Sequence, residues 1–170
     1  MPDEIINKVA NSKLVSLDLE DYYPKGERVL IDIKKWLFQE QVLIEKDYRS
    51  RLKEQDWTTY QEKYVGIICS SDAIIPSWAY LLLTVHLAPY AKKIVVGDLE
   101  QLETILFEEV IAKMDIEEFA DKPVIIKGCS EKFIPNAAYA LLIQRLYPVV
   151  SSLMYGEACS SVPLYKRIKG

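Results

Sequence analysis

The sequence predicts one α/β domain on a mostly parallel sheet with crossover helices, extended by N-terminal strands. Three observations predict it. Short apolar runs suited to buried strands, such as Tyr64–Cys69, Ile94–Val96 and Val124–Ile126, alternate with helical patterns. The chain between these runs is long enough for the crossovers that parallel strands require. A strand–loop–helix–strand pattern also occurs twice.

Taken in order, Pro2-Asp3 followed by Ile5, Ile6 and Val9 predicts a short amphipathic helix. Leu14–Leu19 partly alternates apolar and polar residues and reads as a strand. Pro24-Lys25-Gly26 is a turn, and Arg28–Asp32 a second strand. Asp32 is placed to cap a short helix carrying Ile33, Trp36 and Leu37. Ile44, Tyr48 and Leu52 are spaced for one helical face, so Glu45–Gln55 is read as helix, with Asp56 capping a further turn at Trp57–Glu62. Tyr64–Cys69 is a strand, and Pro76 starts a helix filled by Trp78–Leu87. Ile94–Val96 is the next strand. Asp98 and Gln101 have the spacing of a capping box before a helix with Leu99, Leu102, Ile105, Leu106 and Val110 as its apolar stripe. Val124–Ile126 reads as strand, Asn136–Leu146 as helix, Leu153–Tyr155 as a last strand, and Gly156–Gly170 as an irregular, basic-ended tail.

The repeat rests on one constant offset. The shift that carries Pro76 onto Pro135 also carries Val65 onto Val124, Ser71 onto Ser130, Tyr80 onto Tyr139, Pro89 onto Pro148 and Gly97 onto Gly156. Matches among Leu, Ile and Val are cheap, but Pro, Tyr, Pro and Gly in one register are not. The repeat units span residues 64–97 and 124–156, and both are expected in one sheet within a single domain, 1–170. Tyr80 and Tyr139 are expected at equivalent places between helix and sheet.

Composition narrows the function. The 170 residues are 50% hydrophobic and 27% charged, a globular balance. A net charge of −4 argues against nucleic acid, which needs clustered Lys and Arg. The longest apolar runs are too short to cross a bilayer, and Met1–Ser12 does not read as a signal peptide. Three cysteines then read as reduced thiols of a cytoplasmic protein rather than as a disulfide framework.

In an open parallel sheet, ligands bind beyond the carboxyl ends of the strands. There the sequence places Cys69, Ser70, Ser71 and Asp72, then Gly97 and Asp98, then Gly128, Cys129, Ser130 and Glu131, and last Gly156, Glu157, Cys159, Ser160 and Ser161. Loops use Ser and Gly for turns and caps, which explains the serines better than the cysteines. Cys69, ending an apolar strand, fits a packing role. Cys129 and Cys159 sit among Gly and Ser and are the thiol candidates, with Asp72, Asp98, Ser130, Glu131 and Glu157 as supporting polar groups. The loops after the last two strands are expected to meet. His86, the single histidine, lies near the far end of its helix, roughly 15 Å from the cysteine loops at about 1.5 Å per residue. A Cys-His or Ser-His-Asp mechanism is therefore not expected. A metal here would be zinc or iron, held by thiolates and carboxylates.

Several stretches carry a resemblance: Leu17-Asp18-Leu19-Glu20-Asp21-Tyr22-Tyr23-Pro24, Leu87-Ala88-Pro89-Tyr90-Ala91-Lys92-Lys93, Gly97-Asp98-Leu99-Glu100, Lys127-Gly128-Cys129-Ser130 and Tyr155-Gly156-Glu157-Ala158-Cys159-Ser160. They resemble the Bacteroidetes domain-of-unknown-function family numbered 2480, over nearly the whole chain. The resemblance implies no activity, substrate or catalytic residue. Its implied context is gene neighbourhoods of iron–sulfur cluster assembly, which fits a thiolate site.

Three functions remain open. The leading expectation is a non-catalytic accessory protein with a thiol-bearing site, handling metal, sulfur or an iron–sulfur partner. The alternative is an interaction or oligomerisation scaffold, with another protein or a second copy as partner, in which the cysteines only pack. The third is a small-anion binder at backbone N–H groups of Ser71 or Ser130.

Overall fold

The structure, a computed structural model, describes residues 13–128 and 130–168. The helix expected around Ile5–Val9 lies outside the described residues. In chain order the elements are β1 (Val15–Leu17), β2 (Arg28–Asp32), α1 (Glu45–Glu54), β3 (Tyr64–Ile68), α2 (Ser77–Leu87), β4 (Lys93–Val96), α3 (Leu99–Lys113), β5 (Pro123–Ile126), α4 (Asn136–Leu146), β6 (Ser152–Glu157) and β7 (Ser160–Lys166). They form two compact units: unit 1 is Met1–Pro24 with Leu106–Gly170, and unit 2 is Lys25–Ile105. The boundary falls inside α3.

Unit 2 is built on a three-stranded sheet, order β2-β3-β4, with every pair parallel. The central strand β3 is covered on both faces: Tyr64 and Gly66 are buried on one, Val65 and Ile67 on the other. Gly66 lies between them for a steric reason. A Cβ there would meet the Leu30 side chain at 2.7 Å and the Gly97 carbonyl at 2.8 Å. The crossover helix α2 starts after Pro76, whose fixed φ of −68° suits a helix start. Its inner row, Ala79, Leu83 and Leu87, is fully buried against the sheet. From α1, Tyr48 and Leu52 enter the same core, and the Tyr48 hydroxyl donates to the Ala79 carbonyl at 2.8 Å. The Trp57 indole N–H closes the cluster by donating to the Leu52 carbonyl at 2.9 Å.

Unit 1 is built on a four-stranded sheet, order β1-β5-β6-β7. The first three strands are parallel and β7 is antiparallel to β6. Here α4 supplies the crossover, burying Ala138, Leu142 and Leu146 against Val124, Ile126 and Leu153. Phe107 and Ile111 of α3 complete that core.

Matching details recur in the two units at the offset read from the sequence. Glu62 and Asp121 both take a left-handed backbone, with φ of 57° and 56°. Their N–H groups donate to the carbonyls of Tyr90 (2.9 Å) and Val149 (2.8 Å). The Lys92 N–H donates to the Lys63 carbonyl at 2.8 Å, and the Ser151 N–H to the Lys122 carbonyl at 2.9 Å. Tyr80 and Tyr139 are both half-buried against their own cores. Each unit also gains a strand from the N-terminal region, β2 beside β3 and β1 beside β5. Each of these strands runs into an Asp, Asp32 or Asp18, whose carboxylate accepts the N–H two residues on.

The mostly parallel α/β reading holds, with two corrections. The strands lie in two sheets, not one. In sequence, α3 looks like any other crossover, but among the described residues β4 pairs with β3 alone, and β5 with β1 and β6. The region read as an irregular tail from Gly156 instead finishes β6 and forms β7. Tyr165 of β7 packs against the unit 1 core, which holds the strand in place although Pro163 interrupts its pattern. Arg167, in the stretch read as a basic-ended tail, is engaged by the Asp121 carboxylate and by the Val149 carbonyl at 3.0 Å.

One buried ion pair ties α3 to β2 within unit 2. Arg28 Nε donates to Glu103 Oε1 at 2.5 Å and Arg28 Nη2 to Oε2 at 3.1 Å, while a further Arg28 nitrogen holds the Gly26 carbonyl at 2.7 Å. Glu103 is 3% exposed. Removing one partner leaves the other charge buried. Glu103→Ala is therefore expected to lower stability by about 3–5 kcal/mol, measured by urea unfolding. A loss below about 1 kcal/mol would place the pair among surface bridges.

Candidate functional site

Parallel strands deliver their carboxyl ends to one edge of each sheet, so the site is read unit by unit. In unit 2 the loop after β3 holds Cys69, Ser70, Ser71 and Asp72. Asp32, at the end of β2, pins it. One carboxylate oxygen of Asp32 accepts the Lys34 N–H at 3.0 Å and the Ser70 N–H at 3.1 Å, and the other accepts the Ser70 hydroxyl. Burial alone would raise the Asp32 pKa. The hydroxyl and N–H of Ser70, the Lys34 N–H and the Lys34 charge outweigh it and hold the carboxyl below its ordinary value. Ser71 Oγ accepts the Ala73 N–H at 3.3 Å and lies 3.3 Å from the Cys69 sulfur. Cys69 is half-buried, and burial first, then this cysteine, push the neighbouring Tyr80 phenol above its usual pKa.

This edge opens into a cleft of about 820 Å³ whose walls include Lys34, Glu40, Val42, Ser70, Asp72 and Ile74. Lys34 and Glu40 pair across 3.2 Å. The opposite wall is a tight reverse turn in which Gln39 and Glu40 both take positive φ, 49° and 59°. Phe38 and Val42 close it: the Phe38 N–H donates to the Val42 carbonyl at 2.7 Å, and the Val42 N–H donates to the Phe38 carbonyl at 3.1 Å. The apolar side chains here face water: Ile74 is 94% exposed, Phe38 54% and Val42 53%.

In unit 1 the same edge is smaller, a cleft of about 460 Å³ lined in part by Gly128, Ser130, Glu131, Phe133, Tyr139 and Tyr155. Ser130 Oγ accepts the Lys132 N–H at 3.1 Å and donates to the Lys132 carbonyl at 2.7 Å. The Glu131 N–H donates to the Glu20 carboxylate at 3.2 Å. The Tyr139 and Tyr155 rings meet edge to face at 5.7 Å. A Cβ on Gly128 would collide with Tyr155, so glycine lets that ring lie over the strand end. Phe133, at the position matching Ile74, is 55% exposed.

A family model described as a protein of unknown function, DUF2480, matches residues 3–167. The chain belongs to the DUF2480 family. No curated protein and no solved structure matches it.

The candidate residues of this DUF2480 chain divide between the units. Cys69, Asp72 and Asp98 belong to unit 2, while Ser130, Glu131, Glu157 and Cys159 belong to unit 1. Cys129 lies outside the described residues. Cys159 is exposed in the turn between β6 and β7, and Glu157 pairs with Ser160 across that hairpin rather than lying in a loop. Asp98 is occupied in a capping box, its carboxylate accepting the Gln101 N–H and its own N–H donating to the Gln101 side chain, each at 2.9 Å. Among the described residues, no group of three or more His, Cys, Asp or Glu is arranged to hold a metal ion. His86 stacks on Trp57 with ring centroids 5.3 Å apart, which gives it a packing role.

Sequence reasoning missed the exposed apolar residues at these edges, Phe38, Val42, Ile74 and Phe133. A signal existed for two of them. Ile74-Ile75 and Phe133-Ile134 match at the repeat offset, and one member of each pair packs inward against its own core, leaving the other outward. The Phe38–Val42 turn had no such marker, because two consecutive left-handed residues without glycine are not readable from sequence.

Because the folded Asp32 pKa is depressed, its contribution to stability is present above the unfolded value of about 3.9 and is lost as pH falls through the folded value. Asp32→Asn is thus expected to destabilise the protein at neutral pH, with the gap to wild type closing below about pH 4. Thermal unfolding across a pH series measures it. A gap that does not change with pH would mean that Asp32 acts only as a neutral cap.

Proposed function

We propose that this protein is a non-catalytic interaction module that docks a partner protein on the carboxyl-edge loops of unit 2. One observation carries the reading: Ile74 is 94% exposed on a loop whose backbone is tied down by Asp32 and Ser71. A large apolar side chain held rigidly in water costs free energy unless something covers it. Val42 lines the same cleft, and Lys34, Glu40 and Asp72 supply a polar rim, the arrangement of an interface patch. The same reading treats the two β–loop–α–β units as copies of one module. The shared offset, the paired left-handed residues at Glu62 and Asp121 and the outward Phe133 support it.

A thiol site is the second reading. Its support is that β5 and β6 are adjacent and parallel, so the residues that follow them leave the sheet at one edge, and Cys159 is exposed there. Zinc or iron, and an iron–sulfur partner, belong to this reading.

One preparation tests both. A photo-reactive amino acid placed at position 74 in cells should give a cross-linked product of defined mass, abolished by Val42→Asp. The same group at Lys46, an exposed position of α1, should not. Equal yields at the two positions would overturn the interaction reading. Stoichiometric zinc or iron in anaerobically purified protein, lost in both Cys129→Ser and Cys159→Ser, would decide for the thiol reading.

A further inference from the structure

The unit 1 edge carries aromatic residues that the matching positions of unit 2 lack. At the offset relating the units, Tyr155 stands where unit 2 has Val96, Phe133 where it has Ile74, and Gly128 where it has Cys69. The shared β–α–β scaffold therefore requires none of the three. They act together. Glycine at 128 makes room for Tyr155, because a Cβ there would collide with the phenol, and the ring settles over the strand end. Tyr139 of α4 meets that ring edge to face, with centroids 5.7 Å apart and planes at 89°. Both rings line the cleft of about 460 Å³, and Phe133, more than half exposed, lines it too. Two ring faces set at a right angle make a corner of negative potential, because the face is the negative side of an aromatic ring. The charge beside the corner has the same sign. Glu131 borders the cleft, and the Glu20 carboxylate lies next to it, accepting the Glu131 N–H at 3.2 Å. The positive end of α4 amounts to about half a charge, less than these two carboxylates carry. Lys132 also borders the cleft, but its ammonium lies over the Tyr23 ring, 5.7 Å from the centroid.

We propose that this cleft binds an organic cation, an alkylated ammonium group, against the Tyr139 and Tyr155 rings with Glu131 as its counter-charge. Alkylation follows from the walls. A plain ammonium holds its water tightly and needs several hydrogen-bond acceptors in exchange, which ring faces do not supply. An alkylated ammonium is weakly hydrated, keeps its charge and presents methyl groups that pack on aromatic faces. An anion would meet both the negative ring faces and Glu131, and a neutral ligand would gain nothing from the charge. A free quaternary ammonium compound and an alkylated lysine side chain both carry the group. The site lies within unit 1 and does not depend on docking at Ile74.

Titration of the full chain with tetramethylammonium chloride, followed by NMR at the tyrosine ring protons, tests it. Tyr139 and Tyr155 should shift together and saturate, with binding at least about tenfold tighter than that of 2,2-dimethylpropanol, a neutral molecule of similar shape. Tyr155→Phe keeps the ring face and should bind like wild type. Tyr155→Val, the unit 2 residue, should bind at least about tenfold more weakly with an unchanged unfolding midpoint. Glu131→Gln should also weaken binding, and more so at low salt. A trimethyllysine peptide that binds more tightly than tetramethylammonium, where the unmodified peptide does not bind, would identify the source as a modified protein. A peptide that binds no more tightly would identify it as a free compound. Rings left unshifted by tetramethylammonium overturn the proposal, as does equal binding of the neutral molecule or a Tyr155→Val protein that binds like wild type. So does a titration in which sodium phosphate shifts the two rings and tetramethylammonium does not.

Discussion

Parallel pairing beside a buried central strand is the constraint on which everything else rests. A strand such as β3 or β5 cannot be joined to its parallel neighbour by a tight turn, so the chain must leave, cross over and return. The crossover helix has to seat on the sheet, and in both units it does so through the same Ala, Leu, Leu row, fully buried. Small Ala at the first position lets the helix start close to the strand it has just left. The two leucines then fill the space as the helix runs back. That seating fixes where the helix begins, and therefore the short loop between strand and helix.

The loop is where structural demands leave room for function. Its backbone polar groups must be satisfied, and the strand beside it supplies the acceptor: Asp32 takes the Ser70 N–H while also capping its own turn. Inward Ile75 and Ile134 anchor the far ends of the two loops on their cores. With both ends held, Ile74 and Phe133 have no route into the core. Their exposure follows from the anchoring and not from looseness, and the proposed docking role rests on that. The hydroxyls and carboxylates nearby are largely engaged in holding the loops, as Ser70, Ser71, Ser130 and Asp98 show.

Much of the fold was legible because its signals are local. The Pro76 and Pro135 helix starts, the Asp98–Gln101 cap and the apolar strands each follow from a few neighbouring residues. The division into two sheets was not legible. Whether β5 pairs with β4 or with β1 depends on contacts far apart in the chain, and no local pattern records that choice. The β7 strand was hidden by Pro163 and by the Gly-Ser-rich stretch before it, which read as loop chemistry. At the candidate edge, sequence reasoning favoured residues with reactive side chains. It overlooked hydrophobic residues in loops, because an apolar residue ordinarily signals core. The structure separates Cys69 and Cys159 into different units and turns attention to Ile74.

The central claim is that the unit 2 edge is a preorganised surface, held by Asp32, rather than a mobile loop. Hydrogen exchange at single amides tests it most directly. The account predicts that the Ser70 and Ala73 amides, though near the surface, exchange slowly, close to the protection of β3, and that Asp32→Asn releases Ser70 selectively. Exchange of both amides in wild type at the rate of an unstructured peptide would contradict it.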